Sequence, residues 1–221
     1  MDSIGDSHVT TTARAYDARA AEYTDFVRGS LASLPLDRAV VTAFAELARA
    51  TGGPVADLGC GPGYLAAHLR DLGLQVFGVD ASPMLIQHAR ALYPDVQFSV
   101  GSMAALDVAD GALGGAVSWY SVIHTPPAEV PGYFAEFHRV LAAEGVLLLG
   151  FFESEGGPVS PFDHAITTAY RWPIDELAEI GWQAGFREVG RLLRKPLENE
   201  RFERGCLFLR KTSTDVGDPG L

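Results

Sequence analysis

The chain has 221 residues, a net charge of −11 and a pI near 4.9, and its basic residues are scattered rather than clustered. This length fits one α/β domain with a substantial core, and the acidic balance disfavours a nucleic-acid partner. The N-terminus lacks a basic start followed by an apolar run, and no stretch approaches the roughly 18 apolar residues of a membrane span. We therefore expect a cytoplasmic protein with no membrane partner that acts on a small molecule or a peptide. The sequence carries no signal of oligomeric state.

The two cysteines, Cys60 and Cys206, indicate neither a disulfide nor a metal site. They form no Cys-x-x-Cys pair and no Cys/His spacing of the kind that binds zinc. Both are predicted to be reduced, structural thiols, and no metal is expected.

Residues 1–50 are predicted to form helices that cap the rest of the chain. One helix is predicted from Ala13 to about Arg28, where apolar residues recur at helical spacing: Tyr16, Ala20, Tyr23 and Val27. A second is predicted from about Leu36 to Ala50, ahead of a glycine pair. The first strand therefore starts late in the chain.

A glycine-rich turn joins that strand to the next helix. Residues 55–63 read VADLGCGPG, an apolar strand followed by glycines at alternate positions. Gly59 and Gly61 can take positive φ and let a ligand approach the backbone, and the following helix offers unpaired N–H groups. A dinucleotide fingerprint needs a third glycine at position 64, where this chain has Tyr64. The turn is therefore G-x-G-x-G, with Asp57 just ahead of it.

Strand and helix patterns alternate through the rest of the chain. Helices are predicted around residues 65–72, from Ser82-Pro83 to about 92, from Thr125-Pro126 onwards and at 174–184. Further strands are predicted at residues 75–79, 96–100, 116–120, 146–152, 188–194 and 205–211. This order implies a doubly wound, mostly parallel α/β sheet of seven strands that ends in an antiparallel hairpin.

Two segments lack a clear period. Residues 153–173 contain glycine, proline and aromatic residues, and are predicted to form a lid or insertion within a core that spans residues 51–211. Residues 212–221 are predicted to be a disordered tail.

From about Tyr16 to Lys211 the chain resembles the class I S-adenosylmethionine (SAM)-dependent methyltransferases of the small-molecule type, because their motif I is an acidic residue followed by this glycine turn. The resemblance implies a Rossmann-like core, SAM as cofactor and S-adenosylhomocysteine as product. It places Asp57 near the methionine ammonium and the turn Gly59-Cys60-Gly61 against the cofactor. Asp80, at the end of the second strand, is expected to accept hydrogen bonds from the ribose hydroxyls.

The resemblance implies adenine contacts after the second and third strands. Ala81 and Met84 follow on the cofactor side, and Met84 is expected to pack on adenine, with plain core packing as the alternative. Ser102 and Met103 follow the third strand, where the family usually has Gly-Asp. The Ser102 hydroxyl keeps a hydrogen-bonding group at that position.

Three tyrosines are expected at the methionine end of the cofactor. Tyr120 follows the fourth strand, at the position that faces the sulfonium and methyl group. Tyr16 and Tyr23 fit the pattern Tyr-Asp-x-x-Ala-x-x-Tyr, whose aromatic residues close over the cofactor in many relatives. Core packing of their helical stripe is the alternative.

Candidates for the acceptor side are fewer. His124 is the best general-base candidate, because imidazole titrates near neutral pH. The alternative is a histidine that is held by loop hydrogen bonds or lines the cofactor pocket. His164, Tyr170 and Arg171 could face the acceptor, with surface exposure as the alternative. The other four histidines are predicted to be ordinary helix or tail residues: His8, His68, His88 and His138.

The predicted function is methyl transfer from SAM to a small-molecule acceptor, with O-methylation of a hydroxyl or carboxyl group of a metabolite favoured. N-methylation stays open, since a neutral amine needs no strong base. A nicotinamide-dependent oxidoreductase is disfavoured by Tyr64 and by the late first strand. A SAM-binding regulator without catalysis is the third possibility.

Overall fold

The computed structural model describes residues 7–212. The α-helices in this part of the chain are α1 (His8–Asp17), α2 (Ala20–Val27), α3 (Ser30–Ser33), α4 (Pro35–Thr51), α5 (Tyr64–Asp71), α6 (Pro83–Leu92), α7 (Val130–Val140) and α8 (Ile174–Gln183). The strands are β1 (Val55–Leu58), β2 (Val76–Asp80), β3 (Gln97–Val100), β4 (Leu113–Trp119), β5 (Leu141–Glu153), β6 (Ser160–Asp163), β7 (Thr168–Trp172), β8 (Phe186–Arg194) and β9 (Arg204–Lys211). No helix of residues 7–212 is long and apolar enough to cross a membrane.

The strands form one mixed sheet with the order β3-β2-β1-β4-β5 at its parallel core. The strand β9 pairs antiparallel with both β5 and β8. The predicted class is confirmed: a doubly wound, mostly parallel sheet that ends in an antiparallel hairpin. The strand order reverses between β1 and β4, and this switch point opens a crevice at the carboxyl ends of the strands.

Burial explains why the central strands read as continuous apolar runs. Every residue of β1 and β4 is buried, since helices cover both faces. A Cβ at Gly115 would lie 2.9 Å from Cβ of Ala48 and 3.0 Å from the ring of Phe44, both on α4. The glycines at the start of β4 therefore let α4 approach the sheet closely.

The sheet has nine strands within residues 7–212, so the predicted number of seven is wrong. The difference lies in residues 153–173, which contain the antiparallel hairpin β6–β7. Phe152 pairs with Arg204 of β9 and with Arg171 of β7, so β7 occupies the edge of β5 beyond the point where β4 has ended. The hairpin thereby lies beside the segment after β4, where the carbonyl of Thr168 contacts His124. Backbone pairing, which needs no side-chain period, stabilises a segment that looked irregular in sequence.

The predicted helix from Ala13 to Arg28 is two helices. The first begins earlier, at His8, where the Ser7 hydroxyl accepts a hydrogen bond from the N–H of Thr10. The break follows Asp17, whose carboxylate accepts hydrogen bonds from the Ser82 hydroxyl at 2.5 Å and the Met84 N–H at 3.1 Å. This contact at the start of α6 fixes the chain where helical periodicity alone would continue it.

Smaller differences concern helix ends. The cap at Ser82-Pro83 is confirmed, since the Ser82 hydroxyl accepts from the N–H of Leu85 and Pro83 opens α6. The helix predicted from Thr125 begins only at Val130, after two 3₁₀ turns. Of the predicted tail, Thr212 donates two hydrogen bonds to the carbonyl of Gly185, and residues 213–221 lie outside the described part. Both cysteines are buried and unpaired.

Candidate active site

A cleft of about 700 Å³, its open mouth included, lies at the carboxyl ends of β1, β2 and β4. The glycine turn and the segments after β2, β3 and β4 form its floor, and α1 and α2 form its roof. Ten of the sequence-predicted residues line it: Tyr16, Tyr23, Gly59, Gly61, Asp80, Ala81, Ser102, Met103, Tyr120 and His124.

The two alternating glycines have different reasons to be glycine. Both take positive φ, 71° at Gly59 and 53° at Gly61. A Cβ at Gly59 would lie 2.2 Å from Cβ of Ser121, so the ends of β1 and β4 approach too closely for any side chain. A Cβ at Gly61 would meet only the ring of Tyr23, at 3.6 Å, and would project into the cleft. Gly59 is needed for packing, and Gly61 keeps space for a ligand.

Two carboxylates lie beneath the turn with unequal hydrogen bonding. Asp80 accepts from the N–H of Gly61 and from the N–H of Ser82, each at 2.8 Å. Asp57 is 1% exposed and its Oδ2 has no hydrogen-bond partner among residues 7–212. Burial raises the pKa of Asp57 to about 8, against the opposing effect of the Ala66 N–H. An unpartnered buried carboxyl oxygen beside a ligand-sized space is suited to a cation.

The end of β4 adopts a strained turn. Tyr120 has a φ of 54°, unusual for a residue with a side chain, and its N–H donates to the carbonyl of Gly150. The turn aims Ser121 at β1, where its hydroxyl donates to the carbonyl of Leu58 at 2.6 Å. The buried Tyr120 hydroxyl has no partner, and the guanidinium of Arg204 stacks on its ring at 4.8 Å.

The roof is held over the floor by aromatic contacts. Tyr16 and Tyr23 meet edge to face, with ring centroids 5.0 Å apart. Burial raises the pKa of Tyr23 to about 12, and burial likewise raises that of Tyr16, so both phenols stay neutral near pH 7. These rings shield the cleft from water without adding charge.

His124 is engaged on both ring nitrogens. Its Nδ1 lies 2.9 Å from the carbonyl of Thr168 on β7, which can only accept, so Nδ1 carries the proton. Its Nε2, 3.0 Å from the Tyr16 hydroxyl, then accepts from that hydroxyl. Burial lowers the pKa of His124 to about 4, and the nearby His164 and His8 act in the same direction. His124 is a neutral imidazole that joins the roof helix α1 to the hairpin.

Three predicted cofactor residues do not line the cleft. They are Asp57, which is buried beneath the glycine turn, Cys60 and Met84. Cys60 is buried in a separate apolar cluster, where burial raises the pKa of its thiol. Met84 is 41% exposed, and Leu85 lines the cleft in its place. The docking of Asp17 on the first turn of α6 sets this helix so that residue 84 faces outward.

The predicted acceptor residues of the hairpin form an aromatic and basic cluster behind His124. The rings of His164 and His124 lie 5.2 Å apart, and Tyr170 packs on the main core. Arg171 stacks on Phe202, with its guanidinium carbon 4.7 Å from the ring centroid. None of the three predicted residues lines the cleft.

Other cleft residues escaped the sequence analysis. His8, at the start of α1, and Tyr133, on α7, line the acceptor side together with Thr125. Asp17 belongs to the Tyr-Asp-x-x-Ala-x-x-Tyr pattern, and this pattern was the signal in the sequence for its contact with the start of α6.

Among residues 7–212 no three His, Cys, Asp or Glu side chains are grouped to hold a metal ion.

Residues 55–145 match the family model described as a methyltransferase domain. The probable S-adenosylmethionine-dependent methyltransferase of Mycolicibacterium smegmatis is 30% identical over 144 residues, which cover 62% of this chain and 53% of that protein. The chain thus spans about half the length of the curated relatives it matches first.

Solved structures share the fold over almost the whole chain. The 1,6-didemethyltoxoflavin-N1-methyltransferase of Burkholderia thailandensis, with bound 1,6-didemethyltoxoflavin and S-adenosylhomocysteine, has a TM-score of 0.67 and 24% identity, covering 96% of this chain and 94% of that one. The [4+2]-cyclase SpnF has a TM-score of 0.72 and 19% identity, covering 93% and 97%.

Proposed function

The chain belongs to the class I SAM-dependent methyltransferases, and from this premise we propose that it transfers a methyl group from SAM to a small molecule bound under α1. The observation that carries the proposal is the cleft itself. It joins a glycine cradle with two carboxylates to a roofed acceptor side lined by aromatic and polar groups. An enclosed site of this size suits a metabolite.

The residues at the cradle fit SAM. Gly61 leaves open the space that a Cβ would fill, and Asp57 offers an unpartnered carboxyl oxygen. We assign Asp80 to the ribose and Ser102 and Met103 to the adenine; all three line the cleft. When bound, SAM supplies a methyl group already activated by the sulfonium, so the protein mainly has to align the acceptor and exclude water.

We favour a hydroxyl or carboxyl group as acceptor. The acceptor side holds hydroxyl and imidazole groups, and no Lys or Arg of residues 7–212 lines the cleft, which suits an oxygen nucleophile that approaches as an uncharged group. The helices within residues 1–50 would act as the cap, and the β6–β7 hairpin would influence specificity indirectly, through the hydrogen bond from His124 to Thr168.

The structure weakens the support for His124 as base. Its Nε2 lone pair is engaged by Tyr16, and an imidazole with a pKa of about 4 has little affinity for a proton at neutral pH. We therefore propose that His124 positions Tyr16 and the hairpin. A base role for His124 instead predicts a large loss of kcat in Tyr16→Phe.

A binding protein without methyl transfer is the second candidate. The [4+2]-cyclase, whose name gives a reaction other than methyl transfer, shares the fold as closely as the N1-methyltransferase does. Fold alone therefore does not fix the reaction.

Two measurements test the proposal. Calorimetric titration should give heat with SAM and none with NAD, and Gly61→Leu should abolish the SAM signal while the matched variant Gly132→Leu on α7, where a Cβ meets nothing within 4 Å, keeps it. Metabolite extracts incubated with methyl-labelled SAM should then yield a labelled product. SAM binding with no labelled product from any extract would favour the second candidate, and binding of NAD alone would overturn both.

A further inference from the structure

His8 is held at both ring nitrogens in a way that differs from His124. Its Nδ1 lies 3.2 Å from Oε2 of Glu129, and its Nε2 lies 3.0 Å from the hydroxyl of Tyr133. A carboxylate only accepts, so in the neutral imidazole Nδ1 carries the proton and the Nε2 lone pair faces the phenol. The Tyr133 hydroxyl is then the donor to His8.

This row of groups ends inside the cleft. His8 and Tyr133 both line its acceptor side, as does the buried Thr125. Glu129 stands behind them at the rim, where its side chain is 54% exposed. The order from rim to cleft is carboxylate, imidazole, phenol.

The elements that carry the row are fixed independently of one another. The Ser7 cap sets the first turn of α1, which presents His8. Tyr133 is on α7 and is only 4% exposed, and Glu129 precedes that helix in a 3₁₀ turn. The geometry therefore depends on the position of α1 relative to α7.

We propose that Glu129, His8 and Tyr133 form the proton relay that deprotonates a hydroxyl acceptor; this rests on the proposed methyl transfer. As the acceptor oxygen forms its bond to the methyl carbon, the carbon–sulfur bond breaks and its electron pair stays on sulfur. The acceptor proton passes to the Tyr133 oxygen while the Tyr133 proton passes to Nε2 of His8. The resulting imidazolium faces Glu129, whose charge balances it.

The first test needs no methyl transfer. Nitrogen NMR of labelled protein without cofactor, above neutral pH, should show His8 protonated on Nδ1 and bare on Nε2, with the resonance assigned by its loss in His8→Gln. A proton on Nε2 would overturn the relay, since the ring would then donate to Tyr133 and could not take its proton. This result stands whether or not the proposed function does.

The second test uses the acceptor identified by the labelled-methyl screen. We expect Tyr133→Phe and His8→Ala to lower kcat at least ~100-fold, and Glu129→Gln about tenfold, with SAM affinity nearly unchanged by calorimetry. Added imidazole should restore much of the turnover of His8→Ala, which a merely structural loss would not allow. His138→Ala, on α7 and outside the cleft wall, is the matched control and should keep full turnover.

Several outcomes would contradict the relay. Wild-type turnover in Tyr133→Phe or His8→Gln would do so, and His8→Gln covers the case in which the alanine variant folds poorly. Lost turnover without imidazole rescue, accompanied by faster hydrogen exchange in α1, would assign His8 a structural role. A failure to bind SAM in the wild type would instead count against the proposed function.

Discussion

Two histidine–tyrosine pairs face the same cleft and differ in the group behind the imidazole. In both, the tyrosine hydroxyl donates to Nε2 at 3.0 Å. Nδ1 of His124 donates a hydrogen bond to the backbone carbonyl of Thr168. Nδ1 of His8 instead faces the carboxylate of Glu129. A neutral carbonyl holds a ring in place, whereas a carboxylate also compensates the charge of a captured proton.

Burial sharpens the difference. His124 is 8% exposed and surrounded by other histidines, so a charge on it would be costly. The side chain of His8 is 20% exposed and its carboxylate partner reaches solvent. Similar hydrogen bonds at the phenol thus serve a positioning role in one pair and, in our proposal, a chemical role in the other.

Both pairs depend on α1, so undocking that helix should break them together. Asp17→Ala removes the carboxylate that accepts from Ser82 and Met84, and we expect kcat/KM to fall at least ~10³-fold, about 4 kcal/mol of barrier. Hydrogen exchange of residues 8–17 should accelerate. Asp17→Asn keeps an accepting oxygen and is the matched control, with a small loss. Slow exchange together with normal turnover in Asp17→Ala would mean that α1 docks by other contacts.

The buried pair of His124 and Tyr16 should make the folding stability of the protein sensitive to acid. Burial lowers the pKa of His124 to about 4. Between about pH 6.5 and pH 4, His124 therefore binds a proton in the unfolded chain but stays neutral in the folded protein. The free energy of unfolding therefore falls as the pH falls through this window, by up to roughly 3 kcal/mol from this residue.

Denaturant unfolding at several pH values checks this. His124→Gln, which can still donate to Thr168 and accept from Tyr16, should lose most of the acid-dependent part. His138→Gln, on α7, should change the slope much less. An identical pH dependence in wild type and His124→Gln would show that the imidazole is not the group that titrates.

The cofactor end should show its own proton linkage. Since burial raises the pKa of Asp57 to about 8, its carboxyl is mainly protonated at neutral pH in the free protein. A bound ammonium group would stabilise the carboxylate, so SAM binding should release close to one proton and tighten about tenfold per pH unit below about pH 8, or about 1.4 kcal/mol. Calorimetry in two buffers of different ionisation enthalpy measures the proton, and Asp57→Asn should remove it. Proton release that persists in the variant would assign it to Asp80.

The parallel core and the glycine cradle could be predicted because their signals are local. The strand, the turn and its helix lie within residues 55–71, and Asp80 reaches the turn through neighbouring parallel strands. The hairpin at 160–172 could not be predicted in the same way, since backbone pairing with the end of β5 stabilises it.

Most residues on the acceptor side of the cleft could not be predicted from the sequence, for a related reason. Tyr16 and His124 are 108 residues apart in sequence, and His8 and Tyr133 are 125 apart. A lone histidine at the start of a helix carries no sign of the carboxylate and phenol that meet it after folding. His124 was identified by its place after β4, but its two hydrogen bonds and low pKa depend on α1 and β7.

The smallest expected effect decides most directly between the two pairs. Tyr16→Phe leaves Nε2 of His124 without a donor, which should cost about 1–2 kcal/mol of folding free energy while changing kcat no more than about threefold. Unfolding curves and turnover with the screened acceptor measure both, and Tyr133→Phe is the natural comparison because it removes the equivalent hydroxyl. A large loss of kcat in Tyr16→Phe at unchanged SAM affinity, with Tyr133→Phe nearly normal, would exchange the two roles. It would make His124 the proton acceptor, despite its burial, and leave His8 a contact that anchors α1.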